Sequence, residues 1–325
     1  MVLAWGLFLL FSLSSCGLSR SSLPFLSRDG IERVRLVSWN VQTFFDAERD
    51  GGEYEDFVTN KNWGEAAYTE RLRRLCDCLA RLDADVLVLE EVESEAILQD
   101  IGTFLCSSWM LGRRYRWAAF AREDGGSLGC AVLSRYPLDG LSCHSVTSLV
   151  PQQGKRPGLR PLMQVRVEKN GRSFYLIVNQ WKSMSGGKAE SEGLRMEQEA
   201  LLEGCIAGVG RFPVLACGDF NRDITDFAMD GPGSVLLRAG DESLEVQSPW
   251  FADDGGLLGP GSYYYKEEWS RIDGFLYSGR LAVEDFRAET DGPWCYGDTK
   301  VPKKYTVWNG KGYSDHLPIS CTLAF

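Results

Sequence analysis

The pair Asn170-Gly171 stands between two alternating apolar runs, Leu162–Glu168 and Phe174–Asn179, and demands a hairpin there. Both residues accept the positive φ of a two-residue turn, so the flanking strands pair antiparallel. No purely parallel sheet can then account for the chain. From Arg33 onward, short apolar runs alternate with helical patterns, as in an α/β or α+β protein. Strands are expected at Val34–Trp39, Asp85–Glu90, Arg116–Ala121, Leu128–Ser134, Leu162–Glu168, Phe174–Asn179, Pro213–Cys217, Arg271–Tyr277 and Leu317–Leu323. Helices are clearest at Thr69–Leu82, where Leu72, Leu75, Cys76, Leu79 and Leu82 form one stripe, and around Glu190–Val209. No repeat or low-complexity linker interrupts 31–325, so one domain is the simpler division.

The first residues read differently. Met1 to Leu13 is almost wholly apolar, yet shorter than the roughly 18 residues of a spanning helix. It runs into Ser14-Ser15-Cys16-Gly17, the small-residue pattern of an export cleavage site. The segment resembles the lipobox of bacterial lipoproteins, although no Lys or Arg precedes the apolar run. That resemblance implies a signal peptide over 1–15, lipid on Cys16 and a Ser-, Leu- and Gly-rich tether over 16–30. The expected setting is a bacterial periplasm or cell surface, with the chain membrane-anchored through acyl chains. The simpler alternative is a cleaved secretory peptide with an incidental cysteine.

Charge restricts the partners. The net charge is −10, and nonspecific nucleic-acid binding depends on Lys and Arg neutralising phosphates. Tight passive DNA binding is therefore disfavoured, whereas an enzyme reaching phosphate through metal and a few local cations is not. Ten cysteines, Cys16 among them, include no C-x-x-C pair or zinc cluster. They read mainly as small buried apolar residues, with one or two disulfides expected.

Polar residues recur at the ends of apolar strands. Asn40 ends LVSWN, Glu91 ends DVLVLEE, Asp219 and Asn221 follow PVLACG, Asp273 interrupts SRIDGFLYS, and Asp315-His316 precede LPISCTL. Singly, each is an ordinary turn residue. Together they describe acids, amides and one His gathered beyond a sheet edge. His316 is one of only two histidines; His144 has no motif around it and reads as a surface or packing residue.

The order Trp39-Asn40, Glu91-Val92, Gly218-Asp219-Phe220-Asn221, Ile272-Asp273 and Ser314-Asp315-His316-Leu317-Pro318 resembles the endonuclease/exonuclease/phosphatase superfamily. The resemblance implies an α/β fold: a four-layer αββα sandwich of two mixed β-sheets with helices outside, over 31–325. It implies a phosphoric ester hydrolase using Mg²⁺ (or Mn²⁺/Ca²⁺), held by Glu91 with Asn40 and Asp315. Asp219 would orient or deprotonate the attacking water, Asn221 would hold the phosphate, and His316, steadied by Asp273, would contact phosphate or shuttle a proton. Gln180 stands where many relatives have His; its amide donates a hydrogen bond but carries no charge. Glu90 is expected to add a carboxylate beside the metal position.

The leading expectation is an exported nuclease hydrolysing DNA or RNA as a monomer, with nucleic acid as substrate and the membrane as anchor. The rivals are a phosphatase or phospholipase of the same fold, acting on inositol phosphates or sphingomyelin, and an inactive lipoprotein retaining the fold. Trp294, Tyr296, Lys300, Lys303, Lys304, Tyr305 and Trp308 form a basic, aromatic stretch able either to stack bases or to pack as an ordinary loop. Arg135 and Arg195 read as packing and ion-pair residues. The acidic loop Asp46–Asp56 lacks the spacing of a calcium-binding hand and reads as a solvated loop.

Overall fold

The computed structural model describes residues 9–12, 30–107, 114–146, 159–184 and 187–325. Cys16, the tether up to residue 29, and Gly186 lie outside the described residues. In chain order the strands are β1 (Leu9–Ser12), β2 (Arg33–Phe44), β3 (Val86–Val92), β4 (Trp117–Ala121), β5 (Gly129–Ser134), β6 (Leu138–His144), β7 (Leu162–Lys169) and β8 (Arg172–Gln180). They continue as β9 (Val214–Asp219), β10 (Ala228–Met229), β11 (Ser234–Ala239), β12 (Glu242–Gln247), β13 (Tyr263–Tyr265), β14 (Glu268–Ser270), β15 (Asp273–Ser278), β16 (Ala282–Ala288) and β17 (Ile319–Ala324). The helices are α1 (Glu55–Thr59), α2 (Glu65–Leu82), α3 (Glu95–Ser107) and α4 (Lys188–Val209).

Two mixed sheets result. One has the order β4-β5-β3-β2-β17-β16, with β1 added at the β4 edge; the other runs β10-β11-β12-β15-β9-β8-β7-β6. Each contains a single parallel pair, β2–β3 and β8–β9, bridged by a segment that includes a long helix. Parallel neighbours need such a crossover, which carries the chain back to the starting edge. The two pairs therefore finish side by side, and their carboxyl ends carry Asn40, Glu91, Gln180 and Asp219.

Period-two alternation sorts the sheet faces. Val34, Leu36, Val86 and Val88 join Phe174, Leu176, Leu215 and Phe275 in the core between the sheets. Val37, Trp39, Leu87 and Leu89 pack with Leu72, Leu75 and Leu79 of α2 and Ile97 and Ile101 of α3 on the other face. Helix α4 covers β11 and β12 of the second sheet. This is the expected αββα sandwich. The hairpin is also as read: β7 and β8 pair antiparallel, with Asn170 and Gly171 at φ 51° and 79°.

Several elements were not read from sequence, namely β1, α1, α3, β6, β10 to β14 and β16. Strand β16 shows why: a bulge between Glu284 and Arg287, with Asp285 at φ 54°, breaks the alternation that would mark it. Among the described residues the expected disulfides are absent. Cys76, Cys78, Cys106, Cys130, Cys143, Cys205, Cys217, Cys295 and Cys321 are all free, seven of them buried as small apolar side chains.

Candidate active site

The strand ends meet in one cleft of about 1090 Å³ whose lining includes Glu91, Gln180, Asp219, Asn221, Asp315 and His316. Asn40 and Asp273 are not part of that lining; both are buried directly behind it. All eight residues expected at the site are thus brought to one place, in two layers.

Local backbone explains the first side of the cleft. Glu91 sits at a bulge in β3 with φ 63°, an uncommon conformation for a non-glycine residue. The bulge breaks alternation and turns its carboxylate into the cleft instead of toward the helices. There Oε2 accepts the Thr43 N–H at 2.6 Å, and Oε1 accepts Gln180 Nε2 at 2.9 Å and, more distantly, Asn40 Nδ2 at 3.4 Å. Thr43 and Gln42 also have positive φ. Their turn is held from below by Arg71, whose guanidinium donates to the carbonyls of Val41, Gln42 and Thr43 and lies over the Phe44 and Tyr305 rings. Complete burial pushes the Arg71 pKa down to about 9, while the Tyr305 and Glu91 charges oppose the fall.

Glu90 does not add a carboxylate at the metal position. It keeps the alternation of Val86 and Val88, faces the space between the sheets, and accepts the Ser38 hydroxyl at 2.7 Å. Burial raises its pKa well above the usual carboxylate range, with Asp273 and Asp219 adding to the rise, which favours the protonated form.

The second side is a network of charges. Asp219 closes β9, in register with Asp273 at the start of β15. Gly218 before it, at φ 124°, passes so close to β8 that a Cβ would lie 2.0 Å from the Asn179 carbonyl oxygen. Only glycine fits there, which accounts for the first letter of Gly-Asp-Phe-Asn. Asp219 accepts Asn40 Nδ2 at 3.1 Å, and the Asn221 backbone N–H and side-chain Nδ2 at 2.9 Å each. Asn221, expected to hold phosphate, also donates Nδ2 to the Trp181 carbonyl at 3.1 Å, so its amide hydrogens are engaged in fixing Asp219.

His316 Nδ1 faces both oxygens of Asp273, at 2.8 and 3.1 Å. Its loop is tied to β2 by Ser314 Oγ donating to the Asn40 carbonyl and Trp39 Nε1 donating to the His316 carbonyl. Burial pulls the imidazole pKa down, but Asp273, Asp219 and Asp315 outweigh it and leave His316 well above its usual value. Burial, reinforced by Asp273 and Glu91, pushes Asp219 up to about 7 against the opposing pull of His316.

The donor set suits a hard divalent cation. The carboxylates Glu91 and Asp315 line the cleft, no cysteine does, and the buried Gln180 Oε1 has no hydrogen-bond partner. An oxygen so placed is a ready acceptor for a cation or a substrate proton. Of the other expected ligands, Asn40 stands behind the cleft wall and Asp315 is on it. Asn40 is buried, its Oδ1 accepts the Gln42 N–H at 2.9 Å, and its amide aligns Glu91 and Asp219 rather than facing the cleft. Asp315 is paired with Lys304 at 3.2 Å. Gln180, expected to donate to substrate, donates to Glu91.

Beyond these, the basic, aromatic stretch divides. Trp294 and Tyr305 are core residues, Tyr296 and Trp308 are exposed, and only Lys304 reaches the cleft. The aromatic groups at the site are instead Tyr263, 4.8 Å from the His316 ring, and Tyr265 stacked against it at 6.3 Å. Sequence reading missed both, although the spacing of two in Tyr263-Tyr264-Tyr265 is the signal of one strand face. Arg135 pairs with Asp83 and Asp85, and the fully buried Arg195 with Glu192, as expected. His144 ends β6 beside Ser142, away from the cleft.

Comparison with known proteins gives the same direction. No curated protein matches the sequence. Among solved structures, truncated TDP2 from Caenorhabditis elegans superposes with a TM-score of 0.57 at 15% identity, covering 90% of this chain and 97% of that one. D. rerio TDP2 complexed with a single-strand DNA product gives 0.53 at 18%, covering 90% and 98%. A Bacteroides thetaiotaomicron protein of the endonuclease/exonuclease/phosphatase family gives 0.51 at 15%, covering 91% and 98%. At these identities the likeness is one of fold. In sequence, residues 37–316 match the model of the endonuclease/exonuclease/phosphatase family.

Proposed function

Because this chain belongs to the endonuclease/exonuclease/phosphatase family, we propose that its cleft hydrolyses phosphodiesters of nucleic acid with the aid of a divalent cation. The observation that carries the reading is the meeting of Glu91, Asp219 and the His316–Asp273 pair in one cleft.

Glu91, with Asp315 and the unpartnered Gln180 oxygen nearby, would hold the cation, which when bound supplies neutralisation of phosphate charge. Asp219 accepts the proton of the attacking water. Its carboxyl lies near neutrality, the range in which a base takes a proton yet releases it again. Asn40 and Asn221 fix its orientation. His316, charged through its pairing with Asp273, offers Nε2–H to a phosphate or leaving oxygen. Gln180, engaged with Glu91, is left out of proton transfer.

Nucleic acid is favoured because Tyr265, largely exposed, stacks on Tyr263 at the cleft wall and presents a ring face to a base. The fold relative bound to a single-strand DNA product supports the same substrate class. We also propose an extracytoplasmic setting with lipid on Cys16, argued from the apolar leader alone. Cys16→Ala should move the protein from the detergent phase to the aqueous phase on partitioning.

The test is the purified protein with Mg²⁺ or Mn²⁺ against plasmid, RNA, sphingomyelin and inositol phosphates. Plasmid or RNA should be cleaved, with Asp219→Ala and His316→Ala each losing about 10²–10⁴-fold. Turnover of lipid or inositol phosphate alone would refute the substrate, and inactivity with every metal would refute the reaction.

A further inference from the structure

A second group of acids lies outside the cleft. Asp50 and Glu53 belong to the loop between β2 and α1, and Glu93 follows the end of β3. One carboxylate oxygen from each lies within 4.8 Å of the others. None of the three lines the cleft.

Acidic loops are common and carry no meaning by themselves. Glu93 is different in kind. It is 2% exposed, its Oε2 accepts the Asp46 N–H at 2.7 Å, and its Oε1 is buried with no partner at all. Burial, reinforced by the like charges of Asp46, Asp50 and Glu53, pushes its carboxyl up to about 8, and Arg122 donates to its backbone carbonyl at 2.9 Å rather than to the carboxyl. A buried carboxylate with one unpartnered oxygen, grouped with two further carboxylates, is costly unless it keeps a proton or a cation lies among them.

We propose that Asp50, Glu53 and Glu93 bind a divalent cation of the calcium class, separate from the cation of the cleft. The ligands are all hard oxygens, as calcium requires. With one oxygen from each side chain within 4.8 Å of the others, the three are close enough to share one cation. Asp50 is exposed and Glu53, which accepts the N–H groups of Asp50 and Gly51, is half-buried, so waters can reach the cluster from the Asp50 side. The ion would join the loop after β2 to the end of β3. Tyr54, next to Glu53, lines the cleft, so occupancy would also fix one cleft wall. Asp46–Asp56 is largely solvated, as the sequence-based reading has it, and the remote residue Glu93 is what the spacing within the loop does not reveal.

The test is calcium chloride titrated by calorimetry into the full chain carrying Glu91→Gln, which weakens the cleft's own cation site. One calcium per chain should bind, with a matching rise in Tm. Adding Asp50→Asn and Glu53→Gln should weaken that binding about tenfold or more and remove the rise. Both positions are on a surface loop, and Glu53→Lys gives a second way of removing the site, with far-UV circular dichroism as the folding check. Terbium, read by luminescence sensitised from Trp63, whose Nε1 donates to the Asp46 carbonyl, should follow the same pattern. Absence of calcium binding in the Glu91→Gln protein overturns the site, as does equal binding after the loop substitutions. Because the readout is cation binding rather than turnover, its failure leaves the hydrolase reading untouched.

Discussion

The two sides of the cleft hold their acids by opposite means. On the β2–β3 side, Glu91 is fixed by a strained backbone, an N–H from Thr43 and the Gln180 amide, with Arg71 bracing the turn from below. On the β9–β15 side, Asp219, Asp273 and His316 are buried together: Asp273 and Asp219 raise the pKa of His316, while Asp273 and His316 pull that of Asp219 in opposite directions. Hydrogen-bond donors and strain fix a position. Mutual burial of charges tunes proton affinity. The first side is built to hold something still, and the second to move a proton.

If that division is right, the two sides should fail differently. Asp219→Asn should lose about 10³–10⁴-fold in turnover, and no excess of cation should restore it. Glu91→Gln should lose on the order of 10²-fold and regain much of it at high Mg²⁺, since the defect is in affinity. A cation titration of both variants decides this, and rescue of Asp219→Asn would reverse the assignment. In the unaltered protein at limiting cation, turnover should fall as pH drops through about 7, where Asp219 takes up its proton.

Bracing by Arg71 is open to a stability measurement. Arg71→Met keeps much of the stem but strips three carbonyls of their donor. A cost of roughly 2–4 kcal/mol in urea unfolding is expected, together with weaker cation binding. An unchanged unfolding midpoint would mean that the turn at Gln42 and Thr43 holds its shape unaided.

Asp273→Asn addresses the other side. The amide still faces Nδ1, but the negative charge that keeps His316 protonated is gone. With its pKa lowered, the imidazole should lose its proton earlier as pH rises, so the alkaline limb of the rate profile moves to lower pH. Turnover near neutrality should drop about 10–100-fold. A limb that stays in place would remove His316 from proton transfer.

Much of this cleft was legible from the chain because polar residues after apolar runs fall at one edge of each sheet. Glu91, Asp219 and His316 were found in that way. What a strand-end pattern does not reveal is direction. Asn40 was read as facing a ligand, whereas it lies behind the residues it orients; Asp273, read as the partner of His316, is found against its Nδ1. The direction of Asn221's amide was hidden too, since the carbonyl of Trp181 that receives it lies forty residues away. Tyr263 and Tyr265 were missed because β13 and β14 form a separate short ribbon whose place over the cleft depends on tertiary contacts, among them the pairing of Tyr263 with His316. In the same way Glu93 acquires meaning only when the loop after β2 folds over it.

The smallest expected effect concerns the neighbouring acids Glu90 and Glu91, which differ only in which way the bulge turns them. Glu90 is buried, and its folded-state pKa lies well above its unfolded value, so the folded protein keeps a proton that the unfolded chain releases. For an acid with a raised pKa, stability falls as pH climbs above the unfolded value, because the native state binds more protons than the denatured one. Glu90→Gln removes that dependence while keeping an acceptor for the Ser38 hydroxyl. Its new NH₂ replaces the unpartnered Oε2, a cost of about 1–3 kcal/mol that does not change with pH and drops out of the comparison. His316, Asp219 and their shifts are common to both proteins. Relative to the unaltered chain, the variant's Tm should therefore improve between about pH 5 and about pH 8, with turnover changed by no more than about threefold. A variant that instead loses ground at the higher pH would mean that Glu90 is ionised and belongs with Glu91, and the contrast between the core-facing and cleft-facing acids would be lost.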